Sequence, residues 1–274
     1  MSNHWKTLIA AVVLASGVSS GAIADGYEPS GKGFVAPKIY SWTGFYVGVN
    51  GGYSWGESDT DFTFRDNNTG ALLARGSRDI DMNGWIGGGQ LGYNKQFSKH
   101  LVVGIEVDIQ ATGQDGGSRQ PCPNTIEVGP CNLSTIGPGA GVAPTATLNQ
   151  DLEWFGTLRG RLGVLLQPTL LAYVTGGWAF GNVESDGVIS GFNAQQVAVS
   201  SRFSDSENVS GWVIGGGLEK HLTGNWTGKI EYLYMDLGSV SGRGTLLTSS
   251  PPLRFDYDSD ITDQILRVGL NHRF

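Results

Sequence analysis

Hydrophobic and polar residues alternate with a period of two along eight segments of the chain. These segments cover roughly residues 44–56, 84–97, 101–111, 152–166, 169–181, 211–222, 225–236 and 262–274. In the clearest of them, Leu101, Val103 and Ile105 share one face, whereas Glu106 and Asp108 belong to the other. Strict alternation indicates a β-strand whose two faces meet different surroundings. Segments 84–97 and 169–181 alternate less clearly, because glycine dilutes both faces.

Short and long connections alternate strictly between these segments. The short ones are residues 98–100, 167–169 and 223–224, and the other four run to about 24–41 residues. Structureless connections of this length are uncommon in compact soluble domains. They are typical of a membrane barrel with tight periplasmic turns and long extracellular loops. The sequence therefore predicts an all-β fold, namely an eight-stranded antiparallel up-and-down transmembrane β-barrel with short periplasmic turns and four long extracellular loops.

The tryptophans that follow Trp5 all lie at or near the ends of these segments. Amphipathic rings are favoured at the level of the lipid headgroups, so we predict an aromatic girdle. Its outer ring would contain Trp55, Trp85, Trp154, Trp178 and Trp212, and its inner ring Trp42 and Trp226. The alternative is a soluble β-sandwich or barrel with an aromatic core, in which tryptophans would lie at mid-strand as often as at strand ends.

Composition and charge narrow the class of protein. Glycine supplies 43 of the 274 residues, which disfavours a helical fold. Eight Trp, nine Tyr and 11 Phe are too many aromatic residues for a disordered chain. The net charge of -7 disfavours electrostatic binding to phosphates, so we expect no nucleic acid partner.

The first residues have the order of features of an export signal. Lys6 supplies a positive start, residues 8–15 form a short apolar core, and Ala24 ends a small-residue cleavage motif before Asp25. We therefore predict a cleaved signal peptide over residues 1–24. The alternative for this segment is a buried N-terminal helix.

The rest of the chain divides into two predicted parts. Residues 25–41 contain Pro29 and Pro37 and are interpreted as a periplasmic leader, and residues 42–274 as the barrel domain. No later run is apolar enough for a transmembrane helix, so only a closed barrel could carry this part across a membrane.

Two cysteines, Cys122 and Cys131, lie in a proline-containing stretch of one long connection. An exported protein meets an oxidising compartment, so we expect these cysteines to form a disulfide. They could instead supply half of a zinc site, but no histidine lies near them in sequence and a second ligand pair is absent.

Charged residues recur on the second face of several predicted strands. If the alternation holds, the charges that face the lumen are Glu106, Asp108, Arg159, Arg161, Glu219, Lys229, Glu231, Arg267 and Arg273. On the lipid face, each Arg or Lys would cost about 2–4 kcal/mol at mid-depth. Because an eight-stranded barrel is only wide enough for side chains to fill it, we expect paired ions that plug the lumen. A narrow polar pore is the alternative.

Candidate catalytic and ligand-binding residues are few. His100, His221 and His272 map to the periplasmic end, so a Ser-His-Asp arrangement at the outer rim would lack its base. A protease built on paired loop carboxylates stays open. Met82 and Tyr257 are weak candidates for axial haem ligands on the long connections. We therefore expect neither enzyme activity nor a cofactor.

Three motif matches carry little weight. Gly87, Gly89 and Gly92 fit the pattern G-x-G-x-x-G, but no helix is expected after them. Residues 57–61 and 256–260 resemble the start of a calcium loop, yet both lack the Gly at position 6 and the Glu at position 12. We interpret these acids as solvated loop charges that could bind divalent cations loosely.

Several segments together resemble a known family. They are Trp42–Gly56, Gly84–Asn94, Trp154–Gly163, Tyr173–Gly181, Lys229–Gly238 and Arg267–Phe274. The set is similar to the strands of small outer-membrane immunogenic or porin-family barrels of alphaproteobacteria, which include surface antigens and haemin-binding proteins. The long connections are not covered, and the stretch with Cys122 and Cys131 is not part of the family pattern.

The resemblance implies an eight-stranded barrel in the cell outer membrane, in contact with outer-membrane lipid. It also implies insertion by the barrel assembly machinery, which reads a C-terminal aromatic residue, here Phe274. His272 stands where the family commonly has Tyr, and an interfacial His is still amphipathic. No residue of this chain supports an expectation of haemin binding.

The expected function is therefore non-enzymatic. We expect an integral outer-membrane barrel that serves envelope integrity and surface presentation through its loops. A narrow porin, or a surface protein for haemin binding and uptake, is the alternative. The sequence does not identify a surface ligand for the loops.

Overall fold

The structure is a computed structural model that describes residues 40–118, 145–195 and 197–274. The predicted signal peptide with Ala24 and Asp25, nearly all of the predicted leader, and both Cys122 and Cys131 lie outside the described residues. Within the described ranges, no helix is long and apolar enough to cross a membrane.

Eight antiparallel strands form one closed barrel, as predicted. Each strand pairs with its neighbours in sequence, and the first pairs with the last. The strands are β1 Gly44–Asp66, β2 Leu72–Gln96, β3 Leu101–Ser118, β4 Thr145–Gln167, β5 Leu170–Phe192, β6 Ala198–Thr223, β7 Trp226–Leu246 and β8 Leu253–Arg273.

The period-two alternation sorts the side chains of the lower barrel into two surroundings. On β1, Phe45, Val47 and Val49 are exposed on the outer surface, whereas Tyr46 and Asn50 are buried inside. The same alternation on the other strands produces an apolar outer surface that lipid can cover. Strands with one apolar and one polar face must therefore enclose their polar side chains in the lumen.

The strands are longer than the sequence analysis predicts. The connections β1–β2, β5–β6 and β7–β8 shrink to residues 67–71, 193–197 and 247–252, because the predicted long loops are largely strand extensions. Polar residues in these extensions face water on the outside, and this polarity obscured their alternation. We call the extensions the collar, which comprises residues 57–66, 72–82, 112–118, 145–152, 182–192, 198–211, 237–246 and 253–261.

The collar divides into two facing sheets. Pairing between β2 and β3 ends at Asn83 and Asp115, and pairing between β6 and β7 ends at Trp212 and Asp236. The other neighbouring pairs continue into the collar. One collar sheet therefore has the order β2-β1-β8-β7, and the other has the order β3-β4-β5-β6.

An apolar core fills the upper lumen and the space between the two collar sheets. Near the tip, the rings of Phe64, Phe203, Phe255 and Tyr257 lie with neighbouring centroids 5.1–6.1 Å apart. Burial of apolar area stabilises the collar at roughly 25 cal/mol per Å². The ion pairs of the described interior lie in the lower lumen. Above them, the buried Asp263 accepts hydrogen bonds from Ser54 and Gln114, and a polar cluster lies beside the apolar core, made of Ser58, Thr60, Gln150 and Ser259. The collar folds by the same principle as a β-sandwich.

Gly52 tests the packing of the lower lumen. It faces inward, where an added Cβ would lie 2.3 Å from the Leu266 carbonyl oxygen and 2.7 Å from Arg267 Cβ. We expect Gly52→Val to destabilise the barrel by about 1–3 kcal/mol or to prevent its assembly. The folded fraction can be measured by heat-modifiable mobility on gels, and the stability by urea unfolding.

The neighbouring Gly51 provides a matched control. It faces outward, and its Cβ would meet no atom closer than Ile86 O at 3.7 Å. Gly51→Val should keep the mobility of the folded barrel. Equal behaviour of the two variants would contradict the described orientation of β1.

Candidate functional site: the filled lumen

Arg159 is the centre of an ionic network in the lower lumen. Its guanidinium forms ion pairs with Asp108 Oδ2 at 2.7 Å, with Glu231 Oε1 at 3.1 Å, and with Glu106. Its Nε donates a hydrogen bond to Thr157 Oγ1. All of these side chains are buried, so the charges lack water and depend on one another.

Arg267 and Lys229 complete the network from the opposite wall. Arg267 Nη2 lies 2.6 Å from Glu231 Oε2 and 3.1 Å from Asp108 Oδ2. Lys229 Nζ lies 2.9 Å from Glu106 Oε1. Arg267 of β8 pairs with Asp108 of β3, and Lys229 of β7 with Glu106 of β3, so these two ion pairs join strands that are not neighbours in the barrel. Arg267 and Glu231 lie on the neighbouring strands β8 and β7.

A second ion pair lies closer to the periplasmic turns. Arg161 pairs with Glu219, and its guanidinium carbon lies 3.6 Å from the centroid of the Tyr173 ring. Thr227 Oγ1 and Asn271 Nδ2 both donate to Glu219 Oε1, at 2.5 and 3.1 Å. Four carboxylates thus face four cations in the two groups, and the lower lumen contains no excess charge from them.

Two tyrosine hydroxyls add hydrogen bonds to the network. Tyr46 Oη donates to Glu106 Oε2 at 2.7 Å, and Tyr173 Oη donates to Glu231 Oε1 at 2.9 Å. The sequence analysis missed this role. The alternation of the strands carried a signal for it. Tyr46 lies on the polar face of its segment, and Tyr173 lies on the face opposite to that of the exposed Val174.

Arg273 lies inside the barrel but departs from the expectation that the lumen ions are paired. It is buried, but it forms no ion pair among the described residues. Its Nη2 donates to Thr43 O at 2.9 Å, and its guanidinium lies 4.8 Å from the Tyr40 ring and 5.7 Å from the Trp42 ring. Aromatic faces and a carbonyl therefore take the place of a carboxylate.

Trp42 is not part of the inner girdle, contrary to the prediction. It is completely buried and packs with Val102, Leu165, Leu171 and Tyr173 at the periplasmic end of the lumen. Its indole Nε1 donates to Pro168 O at 3.1 Å. Trp42 precedes β1, so its position is not bound by the alternation of that strand, and it closes the lumen from below.

The other predicted girdle residues lie on the outer surface. Those with large exposed fractions are Trp55, Trp85, Trp178, Trp212 and Trp226. Trp154 is half-buried, with its ring centroid 6.2 Å from that of Phe180. Phe274 is exposed beside His272, and its backbone N–H donates to Phe45 O at 3.0 Å. An assembly role for Phe274 stays a prediction.

The acids of the first calcium-loop match lie on strands rather than in a loop. Ligand oxygens of Glu57, Asp59 and Asp79 all lie within 4.8 Å of one another on the exposed surface of the collar. Partial desolvation, followed by repulsion from Asp79, raises the pKa of Asp59. Asp258 and Asp260, from the second match, likewise lie on β8. These strand positions exclude the loop geometry of an EF-hand.

The two weak candidates for haem ligation are not on exposed loops. Met82 and Tyr257 are both buried in the apolar core of the collar. At the periplasmic end, His221 lies against the Tyr40 ring with centroids 4.0 Å apart, and its Nε2 is 2.9 Å from Gly224 O. Met82 and Tyr257 therefore do not occupy the exposed loop positions on which their candidacy as axial ligands depended.

The chain matches the family model described as outer membrane protein beta-barrel domain over residues 10–274. It is 34% identical over 271 residues to the 31 kDa outer-membrane immunogenic protein of Brucella melitensis, covering 98% of this chain and 100% of the relative. It is 26% identical over 243 residues to the 25 kDa outer-membrane immunogenic protein of Brucella abortus, with 88% and 82% covered.

Solved structures with a similar fold include the outer membrane protein OprG from Pseudomonas aeruginosa. It has a TM-score of 0.40 and 13% identity, with 85% of this chain and 98% of that chain covered. Neisserial surface protein A has a TM-score of 0.38 and 12% identity, with 85% and 98% covered.

Loss of Arg159 should lower the stability of the barrel, because it leaves the lumen carboxylates with one cation fewer. We expect Arg159→Met to destabilise the barrel by about 3–5 kcal/mol, because Glu106, Asp108 and Glu231 stay buried with too little positive charge. Urea unfolding in lipid vesicles measures this difference. The control is Arg243→Met in the collar, where Arg243 is 62% exposed and pairs with Asp256. Its loss should cost at most about 1 kcal/mol, and similar losses in both variants would refute the network's role.

Tryptophan fluorescence can test the position of Trp42. In single-tryptophan variants reconstituted with brominated lipids, Trp85 should be strongly quenched and Trp42 should not, because Trp85 faces outward and Trp42 is enclosed. Quenching is measured against unbrominated vesicles. Strong quenching of Trp42 would contradict its burial in the lumen and indicate that it belongs to the girdle.

Proposed function

The chain belongs to the outer membrane protein beta-barrel domain family, and from this premise we propose that it is a closed, non-enzymatic scaffold of the envelope. The barrel anchors the collar in the outer membrane and presents it at the cell surface. The observation that carries this proposal is the filled interior, with an ionic network below and an apolar core above.

The lumen network supports a role in mechanical integrity. Arg159 and Arg267 each contact carboxylates on more than one strand, so they act as cross-braces between walls that are not hydrogen-bonded to each other. Backbone ladders alone join only neighbouring strands. Buried ion pairs between walls also raise the free energy of a partly opened barrel, because opening would leave unpaired ions in a poorly hydrated lumen.

The described carboxylates give little support for catalysis. Glu57, Asp59 and Asp79 are grouped on the open outer surface of the collar, where water surrounds them. A general acid or base usually lies in a cleft that excludes water and orients a substrate. We therefore propose surface presentation rather than the carboxylate protease that the sequence analysis left open.

Cells test the proposed envelope role directly. We expect a strain lacking this chain to take up a normally excluded dye or large antibiotic faster than its parent. Wild-type protein should restore the barrier, and Arg159→Met at equal surface abundance should restore it less well, because its barrel is less stable. Dye influx in intact cells is the measurement. Unchanged permeability in the deletion strain would oppose a role in integrity.

Planar bilayers separate the scaffold from the narrow porin. Refolded wild-type protein should produce no reproducible ion-selective steps, because side chains from opposite walls meet in the lower lumen. The decisive opposite result is a set of steps that disappears when Arg159 and Arg161 are neutralised. Absence of a Soret shift above that of an unrelated barrel would oppose the haemin alternative.

A further inference from the structure

The wall of the collar is interrupted between β6 and β7. Below this point the two strands pair from Trp212 and Asp236 downward, but above it β6 continues to Ala198 and β7 to Leu246 without pairing to each other. We call this gap, between residues 198–211 and 237–246, the seam. In the described part of the chain, β6 there pairs only with β5 and β7 only with β8.

Free strand edges expose a row of backbone donors and acceptors. Along each edge of the seam, alternate residues direct N–H and C=O groups away from their one paired neighbour. Edges of this kind are commonly protected by Lys or Pro, neither of which occurs in 198–211 or 237–246, or by inward-pointing charges, which on β6 are Asp205 and Glu207. The outward side chains of this part of β6 carry one charge, that of Arg202, and the others are small or uncharged, namely Ala198, Ser200, Ser204, Ser206, Asn208 and Ser210.

Two carboxylates lie on the inner face of the β6 edge. Asp205 and Glu207 have the same phase as Phe203 and Val209, which contact the apolar core. Asp205 is nevertheless exposed, and its Oδ1 accepts a hydrogen bond from the Ser206 backbone N–H at 3.0 Å. It lies directly opposite Ser185 in the β5–β6 pairing.

Two buried hydroxyls next to these carboxylates lie near each other without a hydrogen bond of ordinary geometry. Tyr257 is 3% exposed and Ser185 is 1% exposed, and neither hydroxyl has a partner of acceptable geometry. The Tyr257 side chain crosses β7 at Gly242, where an added Cβ would lie 2.3 Å from its Oη. Burial raises the pKa of Tyr257, the neighbouring Ser185 hydroxyl lowers it, and Asp205 and Glu207 raise it, which is consistent with the proximity of these groups.

This combination has a definite chemical preference. Carboxylates accept charge-assisted hydrogen bonds, and hydroxyls can accept a further donor, so a group with several N–H donors and positive charge fits the inner side of the seam. Pairing with the same edge of a second copy of this chain would place the Asp205 and Glu207 carboxylates of the two copies next to each other. Like charges disfavour that pairing, so the occupant is basic rather than another copy.

We propose that the seam binds an extended peptide strand of another protein, which pairs with the free edge of β6 and directs a Lys or Arg side chain toward Asp205, Glu207, Tyr257 and Ser185. Strand addition supplies the backbone hydrogen bonds, and the inner pocket selects alternate side chains. The proposal extends the proposed surface presentation by naming a class of partner, and it rests on the collar being outside the cell.

Blocked synthetic peptides provide the test with purified, refolded full-length barrel in detergent. The probe is Thr-Val-Thr-Lys-Thr-Val-Thr, and its matched partner has Glu in place of Lys. We expect the Lys peptide to bind at least about tenfold more tightly by fluorescence anisotropy, because the Glu peptide meets like charge. N-methylation at successive peptide residues should weaken binding with a period of two. Hydrogen exchange should slow in residues 198–210 when the Lys peptide is bound.

Charge-neutral variants locate the binding site. Asp205→Asn with Glu207→Gln should weaken binding of the Lys peptide about tenfold or more. The control, Glu57→Gln with Asp59→Asn, makes the same change in charge on β1, which is paired on both edges, and should leave the affinity within about twofold. Gel mobility verifies that each variant is folded.

Three results would overturn the peptide site. They are absence of binding by either peptide, equal affinity for the Lys and Glu peptides, and equal loss in the two double variants, which would indicate attraction by the acidic collar as a whole. None of these results bears on dye permeability or on conductance. Failure of the peptide site is therefore distinguishable from failure of the scaffold.

Discussion

Neutralisation of charge inside a narrow lumen is the constraint on which the structure depends. An eight-stranded barrel has room for side chains but little for water, so most of the described inward charges are paired with an opposite charge on another strand. Arg159 pairs with Glu106, Asp108 and Glu231, which come from β3 and β7. The register of the strands and the closure of the barrel both have to be correct for these contacts to form together.

Different interactions stabilise the lower and the upper parts of the interior. Below, ion pairs and tyrosine hydroxyls satisfy one another across the lumen. Above, the strands leave the membrane and pack as two sheets over an apolar core, as in a soluble sandwich. The outer surface changes in the opposite sense, from apolar against lipid to acidic against water. The same strands therefore invert their inside-outside polarity partway along their length.

This inversion explains which predictions held and which did not. The eight strands and their inward charges followed from alternation, because lipid and lumen differ strongly in polarity. The strand ends did not, because Phe255 and Tyr257 alternate with Asp256 and Asp258 in a stretch that resembled a solvated loop. Trp42 was misplaced for a related reason, since it lies just outside β1 and its contacts depend on how the chain enters the barrel.

By itself, the sequence determined the fold class, the number of strands and the inward face of the nine charged residues that it singled out, because periodicity is a local property that one strand reveals alone. It did not single out Asp263, which is also buried. Only the tertiary structure decided which charges pair, why Arg273 meets aromatic rings, and where the wall opens between β6 and β7. Those outcomes depend on the register between strands and on the order in which distant segments meet around the barrel. Neither quantity is contained in the pattern of any single segment.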